Sequence, residues 1–509
     1  MVYANILGII VDTSYSWLRM FIALGISLVI SIVIGISAAR MPKFGRIIIP
    51  IVDVLQTLPI LAFFPFAMYV FVFFLPGYIG INAAVVFLII TSMVWNMIFG
   101  VYQALNSMPV EYTEVARIYR MNFYRRLTKI YIPAALPRIS EQMSLSWAVG
   151  LFYLVTSEIF SVGTKGYAVK HGIGVALTNA MASGNLYAYF YGILIFVIFV
   201  VATRLLFFDS FDKFANRFYL NSYKRESRLR FGTRIGSLLS GAGSAFSRFK
   251  LREHENRGQS RTVSYAGYAV LAAVVAYIAY ILYTNIPVAQ VYKLPSYEIY
   301  ALFSLAASFL RIWGAFAVVL AIAIPLSVYV LFMAKRRRAY MLSFQILASI
   351  PATILLPLIA QLVGDNAEML AFLIYVLSGI WYVIFSIMAT AKYLPTNVDE
   401  VKRIFGLRGK SAWKKVYLKA IFPGLITGAI TGIAAEWNAS IVAEYFSAGT
   451  SGTVLTSVGT GIGKALNLSL SGNNLFLMGI LLLNMVVMIL AINYFVWRRL
   501  YKKMEVIYS

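Results

Sequence analysis

Apolar stretches recur from one end of this chain to the other, and that recurrence constrains its fold more than any other feature. A helix crossing a bilayer needs roughly 20 mostly apolar residues, and its backbone polar groups must be satisfied within the helix. Such stretches are read at 14–39, 47–75, 82–105, 139–162, 186–208, 263–283, 299–333, 341–363, 369–390, 425–446 and 475–497. Eleven spans and an all-α polytopic membrane fold follow. The first stretch is too long for the core of a signal peptide and is followed by no small-residue cleavage site, so it is read as a retained helix. Only 12% of the residues are charged, about half the share in soluble proteins, which argues against a soluble enzyme or a nucleic-acid-binding domain.

The net charge is +25, from 44 basic and 19 acidic side chains. With the amino terminus outside, 38 of those 44 fall in segments on one side of the membrane, the carboxyl terminus among them. Basic residues concentrate in cytoplasmic loops, so this side is the cytoplasm. The expected setting is the cell membrane, amino terminus outside and carboxyl terminus inside. The net charge then needs no nucleic acid. The chain has no cysteine and two histidines, so no disulfide, thiolate metal site or metal cofactor is expected.

An internal repeat organises the spans. Trp17-Leu18-Arg19-Met20-Phe21 precedes Phe309-Leu310-Arg311-Ile312-Trp313 by 292 positions, and Pro59 and Pro65 precede Pro351 and Pro357 by the same interval. The offset then becomes 286, pairing Trp95, Pro109, Glu114, Tyr131, Pro137, Glu158 and Gly163 with Trp381, Pro395, Glu400, Tyr417, Pro423, Glu444 and Gly449. At 289 it pairs Gly172-Ile173-Gly174 with Gly461-Ile462-Gly463. A shift of six spans preserves orientation. The copies are therefore parallel, related by a pseudo-two-fold axis along the membrane normal, with a pathway expected between them. Residues 1–208 form the first repeat of five spans and 299–509 the second. Residues 263–298 supply a linking span and outer loop. The connecting segment 209–262 is basic and is read either as a plain linker or, in part, as an amphipathic helix on anionic lipid.

The matched loops between the third and fourth spans of each copy are the most informative. The first reads Met108-Pro-Val-Glu-Tyr-Thr-Glu114-Val115-Ala116-Arg-Ile-Tyr-Arg120 and leads to Leu136-Pro137. The second reads Leu394-Pro-Thr-Asn-Val-Asp-Glu400-Val401-Lys402-Arg-Ile-Phe-Gly406 and leads to Phe422-Pro423. Each is a proline stop, a short helix with an acidic start, a break, a basic stretch and a proline. Val115, Ile118 and Tyr119 share one helical face, as do Val401, Ile404 and Phe405. A solvated loop or interfacial anchor would explain one copy, but two in register point to a dedicated surface.

These loops resemble the coupling loop of ATP-binding-cassette importer permeases, whose motif is Glu-Ala-Ala, then Gly, then a distal apolar-Pro pair. Here Val115, Val401 and Lys402 replace alanines. Arg120 stands where the family has glycine, so the first helix is expected either to exit by another route or to bear a modest strain. Trp437 to Glu444, Gly449 and the terminal Trp497-Arg-Arg-Leu-Tyr are similar to the nitrate, sulfonate and taurine branch. The resemblance implies a duplicated, single-chain permease for a small anion, not itself an enzyme. Its implied partners are a cytoplasmic ATPase dimer docked on both loops, an extracytoplasmic substrate-binding protein and the lipid bilayer. The coupling residues carried over are Glu114, Val115, Ala116, Arg120, Pro137, Glu400, Val401, Lys402, Gly406 and Pro423.

Carboxyl groups inside spans are costly and mark a pathway, a gate or a polar partner. Glu158 and Glu444 lie near outer span ends, while Glu436 and Glu141 lie deeper. They are read either as pathway or gate residues (Glu158, Glu444, Glu436) or as helix-to-helix hydrogen bonds. Several acids facing the path would oppose an anion. Arg19 and Arg311 are read as snorkelling residues at span starts. Gly459 to Ala465 loosely resembles a phosphate-cradling loop but lacks its spacing and final hydroxyl, so it is read as a flexible outer loop. An ion-coupled secondary transporter is the alternative function, since parallel repeats and buried acids suit it too, but it would not need the two amphipathic loops.

Overall fold

The apolar runs become long helices, and they do so twice in the same order. The structure, a computed structural model, describes residues 2–162, 169–218, 292–389 and 406–500, less positions 58, 64–66, 68–69, 73, 76, 349, 365, 408, 449–452, 473 and 498. The first half runs α1 (Val2–Arg40), α2 (Pro42–Thr57), a 3-10 turn (Ile60–Phe63), α3 (Tyr78–Asn106), α4 (Val110–Ile118), α5 (Ile132–Val162), α6 (Ile173–Ala182) and α7 (Leu186–Thr203). The second runs α8 (Leu294–Phe332), α9 (Arg337–Ala348), α10 (Ala352–Val363), α11 (Ala367–Ala389), α12 (Leu418–Ala443), α13 (Ile462–Ser471) and α14 (Leu475–Ile492). A π-helical turn leads into α5 at Leu127–Tyr131 and into α12 at Trp413–Tyr417, again 286 positions apart.

Two expected spans are not single helices. The stretch 47–75 breaks after α2, where Pro59 precedes the 3-10 turn, and the stretch 341–363 breaks at Pro351, whose φ of −60° and ψ of 137° open α10. Proline lacks the N–H that a helix requires and pushes the residue before it out of helical conformation. Pro357 sits inside α10; Pro65 lies outside the described residues. Among the described residues, seven helices are long and apolar enough to cross a membrane. The 31-residue α5 is long enough too, but is not among those seven. The expected sixth span at 263–283 lies outside the described residues. The helical run begun by α7 continues to Phe218, ten residues past the expected boundary at 208. Its far end is anchored where Ser140 donates to the buried carboxylate of Asp212.

Three further features were not legible as elements. The ten-residue helices α6 and α13 are too short to span. Ahead of α13, β1 (Tyr445–Ala448) and β2 (Thr453–Ser457) form an antiparallel hairpin. Of Gly459 to Ala465, read as a flexible loop, Ile462 to Ala465 form the first turn of α13, capped by Gly461. Lys464 Nζ donates to the carbonyls of Val458 at 2.7 Å and Gly459 at 3.1 Å.

Inside each half, the third and fourth long helices pack backbone to backbone. An added Cβ at Gly428 of α12 would lie 2.8 Å from Cα of Val383 on α11. The two halves fill this interface with volumes exchanged across the helix pair. Met93 of α3 fills the space over Gly150 of α5, whereas in the second half Glu436 of α12 fills the space over Gly379 of α11. Gly100 lies against Gln142, and the equivalent pair is Ser386 against Gly428. Close-packed interiors tolerate such exchanges when summed volume is kept.

Candidate functional site

On the basic side, α4 starts directly after Pro109, which holds φ −54° and ψ 141°. Proline before a helix start costs nothing, because the first N–H groups have no intrahelical acceptor. The acid in the first turn is Glu111, where it complements the helix dipole. Glu114, expected to start the helix, lies one turn further in and is exposed. Ala116 is buried and attaches the helix to the core, while Val115, Ile118 and Tyr119 point outward, Ile118 at 76% exposure. Phe123 and Tyr124 extend this apolar surface beyond the helix end.

The exit from α4 settles how Arg120 replaces a glycine. Arg120 has φ 44°, and Gly406, its repeat equivalent, has φ 58°. Met121 N–H donates to the Ala116 carbonyl and Arg120 N–H to the Arg117 carbonyl, both at 3.0 Å. This is a Schellman closure, with the left-handed residue at the position after the cap. The first loop therefore leaves by the same left-handed turn that glycine permits, and another route is excluded. A left-handed non-glycine residue costs about 1–2 kcal/mol. Arg120→Gly should accordingly raise the stability of the first loop by about 1 kcal/mol, read as slower amide exchange of Met121 and Arg120. Unchanged or faster exchange would contradict a strained arginine. Pro137 and Pro423 lie within α5 and α12 rather than ahead of them. Glu400, Val401 and Lys402 lie outside the described residues.

At the opposite end each half holds one buried polar clasp. Glu158 is fully buried; it accepts from Arg19 Nη1 at 2.6 Å, Ser16 Oγ at 2.7 Å and the N–H of Gly174 at 2.9 Å. Ser16 Oγ also accepts the N–H of Ile173 at 2.9 Å, so the clasp pins the amino end of α6 to α1 and α5. Arg19 further donates to Asn82 Oδ1 at 2.8 Å and to the carbonyl of His171 at 2.6 Å. It is 4% exposed, which corrects the snorkelling assignment.

The second half repeats the clasp. Glu444 accepts from Ser308 Oγ at 2.5 Å, Gly463 N–H at 2.7 Å and Arg311 Nη1 at 3.3 Å. Where the first half has Asn82, the second has Glu368, and it draws Arg311 toward itself in a two-pronged pair. Tyr375 O–H compensates by donating to Glu444 at 2.9 Å. Ser16 and Ser308 were missed, although they stand at the same interval as Arg19 and Arg311. Their shared offset was the available signal. Of the other acids, Glu141 pairs with Arg138 at 2.9 Å, and Glu436 is buried beside Gly379 with neither oxygen hydrogen-bonded among the described residues.

Between the halves runs a seam built by the broken helices. The turn Ile60–Phe63 packs on α12 of the other half, and α10 packs on α5 and α6. Leu61 N–H donates to Asn438 Oδ1 at 3.4 Å, and Tyr189 O–H donates to the Ile354 carbonyl at 2.6 Å. Each half thus lays its proline-broken segment against the long helix of its partner half.

The comparisons agree with this duplicated plan. The family model for the binding-protein-dependent transport system inner membrane component matches twice, at residues 31–217 and 320–504. The bicarbonate transport system permease protein CmpB of Synechococcus elongatus is 26% identical over 215 residues, 42% of this chain and 71% of that protein. The nitrate import permease protein NrtB of the same organism is 28% identical over 146 residues, 28% of this chain and 47% of that protein. The glycine betaine/proline betaine transport system permease protein ProW of Escherichia coli is 28% identical over 152 residues, 30% of this chain and 41% of that protein. No solved structure matches the chain. With both halves matched over more than half of its length, this multi-pass membrane chain belongs to the family of binding-protein-dependent transport system inner membrane components.

Proposed function

We propose that this chain supplies the whole membrane pathway of an ATP-driven importer for a small anion, with two coupling loops on one polypeptide. The observation that carries the reading is α4. A nine-residue helix on the basic side is fixed to the core through Ala116 and turns Val115, Ile118 and Tyr119 outward, which a loop serving only as a connection does not need. A short helix with an exposed apolar face fits a groove on a partner protein. The matched loop from Leu394 to Gly406 is expected to carry a second such helix. The partner is a dimer of cytoplasmic ATPase subunits, and a substrate-binding protein delivers the solute from outside. The amino terminus lies outside and the carboxyl terminus in the cytoplasm, as the basic residues dictate. Residues 1–208 and 299–509 act as the two permease repeats, joined by the linker 209–262 and the linking span and outer loop at 263–298. The anion assignment is supported by the bicarbonate and nitrate permeases among the relatives.

The test reverses charge at both coupling helices. Glu114→Arg with Glu400→Arg should abolish ATP-dependent uptake, or the assembly of the ATPase, while the chain still inserts and unfolds at its usual temperature. Normal import by that double variant would refute the coupling assignment.

A further inference from the structure

The two proline-broken segments reach the seam with amino ends that differ in one respect. Leu61 and Thr353 are equivalent at the 292 offset. The N–H of Leu61 is taken by Asn438 Oδ1. The position equivalent to Asn438 at the 286 offset is Phe152, whose ring accepts no such bond. Phe152 lies on α5, the helix of the other half against which α10 packs. In the first turn of α10, the N–H of Ile354 bonds back to the Pro351 carbonyl at 3.0 Å. Those of Ala352 and Thr353 find no acceptor among the described residues, and Pro351 has no side-chain acceptor to offer as a cap. Beside them the Thr353 hydroxyl is fully buried and has no hydrogen-bond partner among the described residues. A buried hydroxyl without a partner is costly, and most buried polar groups are satisfied.

Three donors without an acceptor among the described residues therefore lie within two consecutive residues at the amino end of a twelve-residue helix, where the dipole places about half a positive charge. Glu158 and Glu444 are closed inside the outer clasps, and Glu436 turns toward Gly379 of α11. We propose that the amino end of α10 is an anion site within the translocation pathway, binding a small monovalent oxyanion through the N–H groups of Ala352 and Thr353 and the Thr353 hydroxyl. This rests on the reading of the chain as a permease for a small anion, and adds where the ion sits. Helix amino ends bind anions by this means, and a half-helix ending inside the membrane aims the same donors at a substrate. Neutral donors without a full cation hold an ion weakly enough to release it. In the described conformation Ala352 and Thr353 are buried, and Tyr189 holds the carbonyl of the adjacent Ile354.

The test uses the full chain, purified without ATPase, unfolded thermally in sodium nitrate, sodium bicarbonate or sodium chloride at equal ionic strength. Nitrate or bicarbonate should stabilise the unaltered chain more than chloride does, by mass action on the folded state. Thr353→Val, which removes a costly unpartnered hydroxyl, should unfold at or above the usual temperature in chloride yet lose about tenfold in apparent affinity for the oxyanion, as expected for one hydrogen bond to a charged group. Phe152→Asn, which copies the seal that Asn438 provides in the other half, should weaken binding likewise. If Phe152→Asn fails to fold, Thr353→Val decides alone. The site is overturned if neither oxyanion exceeds chloride, if glycine betaine stabilises in their place, or if Thr353→Val binds as the unaltered chain does. The importer reading is tested separately, by binding-protein-stimulated ATP hydrolysis in the assembled complex. Should that hydrolysis be coupled while no oxyanion effect is found, only the site falls.

Discussion

Arg19→Ala is expected to destabilise the chain by about 3–4 kcal/mol, whereas Arg311→Ala, at the equivalent position, should cost about 1 kcal/mol. Arg19 is almost wholly buried, and its loss leaves the Glu158 carboxylate inside the fold without its cation, with Ser16 and the Gly174 N–H still donating to it. Removing one member of a buried ion pair typically costs about 3–5 kcal/mol, because the other charge remains unpaired. The surviving donations from Ser16 and Gly174 place the effect at the lower end of that range. Arg311 is different. Its closest partner, Glu368, is about half exposed, and an exposed pair contributes little. Glu444 would still accept from Ser308, Tyr375 and Gly463 after the arginine is gone. Thermal unfolding of the purified chain reads both effects. The double change Arg19→Met with Glu158→Leu should recover much of the loss, since apolar groups of similar size can replace a buried pair. Equal losses at Arg19 and Arg311 would show that burial does not separate the two clasps.

How much of this could be read beforehand differs from residue to residue, for physical reasons. The long spans and the repeat were legible because bilayer crossing demands length and apolarity together, and both are local properties of the chain. The clasps were only half legible. Glu158 and Glu444 stood out as acids in apolar surroundings, but an arginine near a span start looks the same whether it snorkels or turns inward. Only the approach of α5 and α6 to α1 decides that for Arg19. The breaks at Pro59 and Pro351 were visible as prolines. Their consequence, segments that cross to the other half, depends on tertiary packing that no local pattern carries. Helices α6 and α13 stayed hidden because ten residues fall well short of a span-length run. Arg120 teaches a further point. Its side chain argued against a left-handed turn, but the closing hydrogen bonds and the buried Ala116 hold that turn regardless. Local propensity yields where several other contacts agree.

Ile118→Asp combined with Tyr119→Asp should weaken association with the ATPase at least about a hundredfold, and should leave the unfolding temperature of the isolated chain unchanged. Ile118 and Tyr119 are 76% and 73% exposed, so in the free chain each new carboxylate stays in water and costs the fold little. In the proposed complex the same atoms enter an apolar cleft, where a charge without a partner costs several kcal/mol, and about 2.7 kcal/mol already corresponds to a hundredfold. The split between the two measurements is what carries the argument. A surface that merely anchors the loop at the membrane interface would leave ATPase binding intact. A surface that packs against the rest of the chain would lower the unfolding temperature. Only a docking surface predicts normal stability with lost association. The effect should exceed that of the same change at Phe123 and Tyr124, which are equally exposed but lie beyond the left-handed turn at Arg120, off the axis of α4. Binding lost as severely from Phe123 and Tyr124, or retained by the Ile118 and Tyr119 variant, would move the docking surface away from the helix.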